Sequence, residues 1–223
     1  MRFITQHARR KSIELAESRG TFPGFKGSLW ERRGYQGIRN ATLTTIAPTG
    51  TLSLIAGCSS GIEPMFGISY LRRMSSGALI REVNPTFIRR AKAEGFYSEE
   101  LIGKISRTGS IKGITEIPAA VRRIFPTALD IGPVWHVRMQ AIFQKYCDNA
   151  VSKTVNLPEN STVEDVKNVF MLAHRLGCKG ITVFRYGSRR KQVLCFSGSE
   201  TDKSQLIVPA DYTGTCTTKH CIS

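Results

Sequence analysis

The sequence predicts an α/β fold built on parallel strands, and three observations carry that prediction. An apolar strand pattern at "NAVSKTVNLP", a helical pattern from Ser161 to Leu176 and a second strand at "GITVFR" follow one another within about 35 residues. That order is a βαβ unit, whose strands lie parallel with a right-handed crossover. Upstream, β-branched and apolar residues at 41–47 read as another buried strand. Between these, helical and strand patterns alternate, as layered α/β domains do.

Residues 3–19 read as an amphipathic charged helix, ended by Gly20 and Pro23. A loop containing Gly24, Gly27 and Gly34 leads to the 41–47 strand. Strands follow at 66–73 and in "GALIREV", then a helix near 85–94 and a short helix in "SEELIGKI" with Ser98 as its cap. Pro133 suits a first helical position. Trp135, Met139, Ile142, Phe143 and Tyr146 recur at helical spacing, so this helix runs to about Cys147. Ser161 with Glu164 makes a capping box, and Val163, Val166, Val169, Phe170, Ala173 and Leu176 form one face of the next helix, which Gly177 ends. Residues 197–223 are rich in Ser, Thr, Gly and Asp, without periodicity, and read as a flexible tail behind a folded part at 1–196.

Composition narrows the function classes. No apolar run approaches the length of about 18 residues needed to span a membrane. The N-terminus lacks the apolar stretch of a secretory signal, so a cytoplasmic protein is expected. The formal net charge is +15, yet the basic residues are scattered as pairs such as Arg32-Arg33, Arg72-Arg73 and Arg122-Arg123. No aromatic-interleaved patch accompanies them, so acidic partners or phosphorylated small molecules are expected rather than nucleic acid. Six cysteines occur, and only Cys216 and Cys221 stand as a C-x4-C pair near the C-terminus. Without a signal sequence, structural disulfides are not expected.

One stretch carries chemistry. "TTIAPTGTLSLIAGCSSGIEP" places a Pro-Thr-Gly-Thr turn after a strand and before an apolar helix. Such a turn presents unpaired backbone N–H groups, with the Thr49 and Thr51 hydroxyls beside them, and Gly50 lets a ligand approach the backbone. This is phosphate-binding physics without a Walker lysine, although a turn of this kind also occurs with no ligand at all.

The neighbours of that turn add a resemblance. "RNATLTTIAPTGT" with "AGCSSGIEP", "HVRMQAIFQKYCDNAVSKTVNLP", "AHRLGCKGITVFRYGSRRKQVL", "RRKSIELAESRGTFPGF" and "GSIKGITEIPAAVRRIFPTALDI" stand in the order found in adenosylcobalamin-dependent (class II) ribonucleotide reductases. The resemblance covers about residues 5–195. It implies the C-terminal part of a ten-stranded α/β barrel, incomplete on its own. It also implies an oxidoreductase that converts ribonucleoside di- or triphosphates to 2′-deoxyribonucleotides for DNA synthesis. Adenosylcobalamin would supply the radical, and the protein would position it.

Residue by residue, Ala47, Pro48, Thr49, Gly50 and Thr51 match the family's substrate-phosphate loop. Cys216 and Cys221 match a mobile thiol shuttle that a thioredoxin-like reductant recharges; a zinc site or an inert tail are the other readings of that pair. No resident metal is expected. Ser152, Asn156 and Arg185 are possible cavity contacts, with satisfied strand residues as the alternative. Lys153 reads as a solvated strand-end charge, His136 as structural, and Glu63 as an acceptor for turn amides. Cys58 lies in the turn after the phosphate loop, a poor place for a radical thiol.

The resemblance also breaks. The family's finger loop carries Asn-x-Cys-x-Glu, whose carboxylate acts as general base. None of the six cysteines stands in that setting. The chain is therefore expected to work with a polypeptide carrying the N-terminal part of the barrel. The alternatives are a non-catalytic nucleotide-phosphate-binding or interaction module, and an inactive gene fragment.

Overall fold

The computed structural model describes residues 1–73, 79–188, 194–197 and 207–209. They form two compact units: Met1–Pro64 with Ile131–Ser188, and Met65–Asp130 with the described residues from 194 onward.

In the first unit, α1 (Arg2–Arg19) runs to Gly20, whose N–H closes the last turn on the Ala16 carbonyl. Its buried positions are polar. Thr5 donates to the Tyr146 carbonyl at 2.5 Å, and Ser12 donates to Asn40 Oδ1 at 2.9 Å while accepting from the Asn40 N–H at 3.0 Å. Phe3 and Ile4 face outward. A short helix, α2 (Leu29–Arg32), capped by Ser28, lies inside the glycine-containing segment read as loop.

The 41–47 strand contracts to a single parallel bridge between Ile46 and Val151. Side chains displace the ladder around it. Asp148 Oδ2 accepts the Leu43 N–H at 3.1 Å, and Thr45 donates its hydroxyl to the Ala150 carbonyl at 2.9 Å. Two backbone bonds remain, Asn149 N–H to Thr44 O and Ser152 N–H to Ile46 O.

The βαβ unit is present as read. Strand β3 (Thr154–Leu157) pairs in parallel with β4 (Thr182–Arg185) across a crossover helix. The core between them holds Val137, Val155, Leu157, Val169 and Ala173.

Two helices of this unit correct the expected patterns. α7 (Pro133–Gln144) starts at Pro133 but turns its apolar stripe outward: Trp135 and Ile142 are each 63 % exposed. Its buried face is His136, Val137, Gln140 and Gln144. The reason is the set of carbonyls it meets. Gln140 Nε2 donates to Val151 O (3.1 Å) and Gly180 O (2.6 Å), and Gln144 Nε2 donates to Asn149 O (2.8 Å). α8 (Val163–Arg175) is capped one residue later than expected, by Thr162 with Asp165 rather than Ser161 with Glu164. Val163 and Phe170 are exposed there, and Val169 and Ala173 are buried.

In the second unit, β1 (Ser69–Arg73) and β2 (Leu79–Val83) form an antiparallel pair. α4 (Pro85–Ala93) is capped by Asn84, and α5 (Glu99–Thr108) by Ser98, whose hydroxyl accepts the Leu101 N–H at 3.1 Å. With α6 (Ala119–Ile124), these bury Ile68, Phe87, Ala91, Ile105, Ile117 and Val121. The sheet is completed by β5 (Leu194–Cys195) beside β1 and β6 (Ile207–Pro209) in parallel beside β2. β6 falls inside the span read as a flexible tail, where its backbone finds a partner edge. Among the described residues the strands form two sheets, of four and two strands, and no helix is long and apolar enough to cross a membrane.

Candidate functional site

The site lies in the first unit, where Ile46 leaves its bridge and the chain turns into α3 (Gly50–Ala56). Thr49 takes a left-handed backbone with φ +51°, uncommon for a residue with a Cβ. That turn re-aims the chain so that the Thr49 carbonyl accepts the Ser53 N–H at 2.8 Å, and the Gly50 carbonyl accepts the Ser53 hydroxyl at 2.7 Å. Ala47, Pro48, Gly50 and Thr51 are exposed and Thr49 is half-buried. The five residues thus form one exposed turn with the amides of a helix start beside threonine hydroxyls, a donor set suited to anionic oxygens.

The Cys58-Ser59-Ser60-Gly61 turn folds back on this loop. Gly61 has φ +51°, and a Cβ there would stand 3.2 Å from the Ala47 carbonyl oxygen and 3.6 Å from Ile46 Cγ2. The close approach and the left-handed backbone both require glycine. Cys58 is exposed.

Two residues on, Glu63 enters a buried polar cluster. Its Oε1 accepts the Thr154 N–H at 2.6 Å and its Oε2 accepts from Lys153 Nζ at 2.8 Å. Lys153 Nζ also meets His136 Nδ1 at 2.8 Å and the Thr154 carbonyl at 2.9 Å. An ammonium has three N–H donors and no acceptor, and here three acceptors surround it. His136 Nδ1 therefore accepts, which assigns a neutral imidazole with its proton on Nε2.

This cluster corrects two expectations and adds a partner to a third residue. Lys153 is 2 % exposed, so it is not a solvated strand-end charge. Glu63 holds a strand amide and a lysine rather than turn amides. His136, 1 % exposed, is buried as a structural residue would be, but as a partner of a charged group. The sequence held a signal for Lys153: Val151, Lys153, Val155 and Leu157 alternate at period two, and all four are buried.

Of the other candidates, Ser152 adjoins the loop through its backbone, and Asn156 and Arg185 lie further along β3 and β4. Ser152 donates its backbone N–H to Ile46 O, Asn156 is paired in register with Phe184, and Arg185 donates to the Glu159 carbonyl at 3.0 Å. Cys216 and Cys221 lie outside the described residues. Among the described residues no three His, Cys, Asp or Glu side chains gather as a metal site. The thiols of Cys147 and Cys178 are pushed above their ordinary range by burial, in Cys147 with Asp148 adding to it, so neither is activated.

Comparison with known proteins gives this geometry a setting. The chain is 48 % identical over 223 residues to a vitamin B12-dependent ribonucleoside-diphosphate reductase of Mycobacterium tuberculosis (strain ATCC 25618 / H37Rv), covering 99 % of this chain and 31 % of that protein. It is 47 % identical over 205 residues to a protein of that description from Thermoplasma acidophilum, covering 92 % of this chain and 26 % of that protein. The chain thus spans less than a third of the length of these relatives. A class Id ribonucleotide reductase alpha subunit of Actinobacillus ureae shares the fold, with a TM-score of 0.68 at 23 % identity over 83 % of this chain and 33 % of that one. Residues 1–184, which hold the exposed turn, the buried cluster and both sheets' principal strands, match the ribonucleotide reductase barrel domain, and the chain belongs to that family.

Proposed function

We propose that this chain supplies the substrate-phosphate loop, Ala47–Thr51, of a vitamin B12-dependent ribonucleotide reductase that makes 2′-deoxyribonucleotides for DNA synthesis in the cytoplasm. The observation that carries the reading is the exposed turn itself: a left-handed Thr49, an unobstructed Gly50 and the Thr51 hydroxyl at a helix start, in a chain 48 % identical to such a reductase. Its amides and hydroxyls bind and orient a nucleotide's phosphate oxygens. Orientation is a large part of what an enzyme contributes to a reaction whose difficult step belongs to a cofactor.

Adenosylcobalamin supplies the radical in this reading. The described residues do not build a corrin site. The loop offers small polar donors suited to anionic oxygens, and the buried imidazole, His136, has its Nδ1 committed to Lys153. No step of the reaction is assigned to cofactor contacts in this chain. The Asn-x-Cys-x-Glu constellation is not among the 223 residues, so activity requires a polypeptide segment bearing it. The outward apolar stripe of α7 supports an arrangement in which more protein packs against this unit. Cys216 and Cys221 act as the thiol shuttle, recharged by a thioredoxin-like reductant. A second reading is a phosphate-binding module without chemistry.

Reconstitution tests the proposal. The chain is combined with a segment carrying Asn-x-Cys-x-Glu, adenosylcobalamin and thioredoxin with its reductase, and deoxynucleotide formation is followed with ribonucleoside di- and triphosphates. Turnover that Thr51→Val weakens through KM supports the loop's role. Turnover lost in Cys216→Ser with thioredoxin but kept with dithiothreitol supports the shuttle. Nucleotide binding without turnover supports the second reading, and no binding at all sinks both.

A further inference from the structure

Lys153 immediately precedes β3 and shares the period-two burial of Val151, Val155 and Leu157, where a valine or leucine would match them. Burying an ammonium there is costly unless every donor is met, and every donor is met. What the cluster joins shows what it does. The Glu63 carboxylate grips the Lys153 side chain with one oxygen and the adjoining Thr154 N–H with the other. The short segment Gly61–Pro64 is thereby tied to the start of β3. Gly61, two residues before Glu63, rests against the Ala47 carbonyl of the candidate loop. His136, from α7, completes the lysine's acceptor set and so aims the ammonium at Glu63.

We infer that Lys153 is a positioning residue: through Glu63 and Gly61 it sets where the Ala47–Thr51 loop stands for the anion it receives. This rests on the reading of that loop as the phosphate site. The loop's donors are backbone amides and the short Thr49 and Thr51 hydroxyls, none of which reaches far from the backbone, so a shift near 1 Å at Gly61 is transmitted to them directly, and misplacement of that size can cost on the order of 100-fold.

The test uses the full chain, ¹⁵N-labelled, with pyrophosphate as the probe. The variants are Lys153→Met, the double variant Glu63→Gln with Lys153→Met, and Thr51→Val. The double variant removes both charges, while the carboxamide introduced at position 63 keeps the Thr154 N–H on its carbonyl oxygen. No unpaired buried carboxylate remains, and the melting temperature returns close to wild type. Expected with it are displaced Gly50, Thr51 and Gly61 amide resonances. The Ser53 amide, bonded to Thr49 O, exchanges at least tenfold faster relative to Val169 in α8, and pyrophosphate binds at least tenfold more weakly. A purely structural lysine would restore all three along with the melting temperature, and that result overturns the inference. Unmoved resonances and unchanged Ser53 exchange in either Lys153 variant overturn it whatever the ligand does. The loop reading fails separately, when Thr51→Val leaves pyrophosphate binding unchanged or the wild-type chain binds none.

Discussion

Gly61 and Gly57 make a matched pair for testing how the Cys58–Gly61 turn meets the loop. Both have left-handed backbones, φ +51° and +61°, and they differ in surroundings. A Cβ at Gly57 meets nothing within 4 Å, whereas one at Gly61 meets the Ala47 oxygen at 3.2 Å and Ile46 Cγ2 at 3.6 Å. Alanine in the left-handed region costs roughly 1–2 kcal/mol, so Gly57→Ala should lose about that much. Gly61→Ala carries the same backbone cost plus the contact, and overpacking against a fixed carbonyl adds on the order of 1 kcal/mol. Both tryptophans, Trp30 and Trp135, lie in the first unit, so urea unfolding followed by tryptophan fluorescence reports on that unit. At an m-value of about 2 kcal/mol/M the extra contact lowers the midpoint by about 0.5 M beyond Gly57→Ala. Pyrophosphate affinity should fall in Gly61→Ala and hold in Gly57→Ala. Equal midpoints for the two variants, or a more stable Gly61→Ala, would refute the claim that the turn bears on the loop.

Other expectations follow from single contacts. Thr162→Ala removes the α8 cap and should cost about 1 kcal/mol by urea unfolding. The Thr162 backbone N–H, and then its hydroxyl, hold the Asp165 carboxyl below its ordinary 3.8. A carboxyl lowered in the folded state stabilises above its unfolded value and loses that contribution as pH falls through the lower, folded one. Wild type should therefore show an acid-side loss in α8, read by helix amide exchange between pH 5 and pH 2 (about the range in which a lowered carboxylate titrates), that Thr162→Ala reduces without abolishing, since alanine keeps the backbone N–H that is the larger cause. Of the described cysteines, exposed Cys58 should react with iodoacetamide near neutral pH before half-buried Cys178, and buried Cys147 only on unfolding, since burial raises the Cys147 and Cys178 thiols. Phe87→Ala empties a fully buried site in edge-on contact with Phe125 at 5.6 Å and should destabilise the second unit by about 3–5 kcal/mol, measured by exchange of the Ile102 and Ile105 amides.

The elements legible in the sequence are those fixed by local rules. The β3–α8–β4 crossover, the Ser98 cap, the proline start of α7 and the Gly20 stop each depend on a few neighbouring residues, and each is found. The exposed Thr49-Gly50-Thr51 turn was legible on the same grounds. What escaped depends on partners far along the chain. Lys153 looks solvated until Glu63, 90 residues earlier, and His136 are brought to it. The 41–47 segment has the composition of a strand, but Asp148 and the threonine hydroxyls take its backbone partners. β6 has no periodicity to announce it, because three residues on a sheet edge need only an open ladder.

The reversal of α7 follows from the same physics. Strands of four residues leave carbonyls at their ends that no neighbouring strand can satisfy, and a buried carbonyl without a donor costs about 1–3 kcal/mol. α7 packs against β3, and its positions 136, 140 and 144, four residues apart, project from one face. Glutamine at 140 and 144 reaches Val151, Gly180, Cys147 and Asn149, all carbonyls outside β3 and β4, while histidine at 136 receives the lysine. Only Val137 is left on that face to join Val155 and Leu157. Once the inward face is spent on hydrogen bonds, Trp135, Met139 and Ile142 have nowhere to lie but outside. An amphipathic pattern therefore marks the buried face of a helix only when its neighbour's backbone is already satisfied, and beside a short parallel pair it is not.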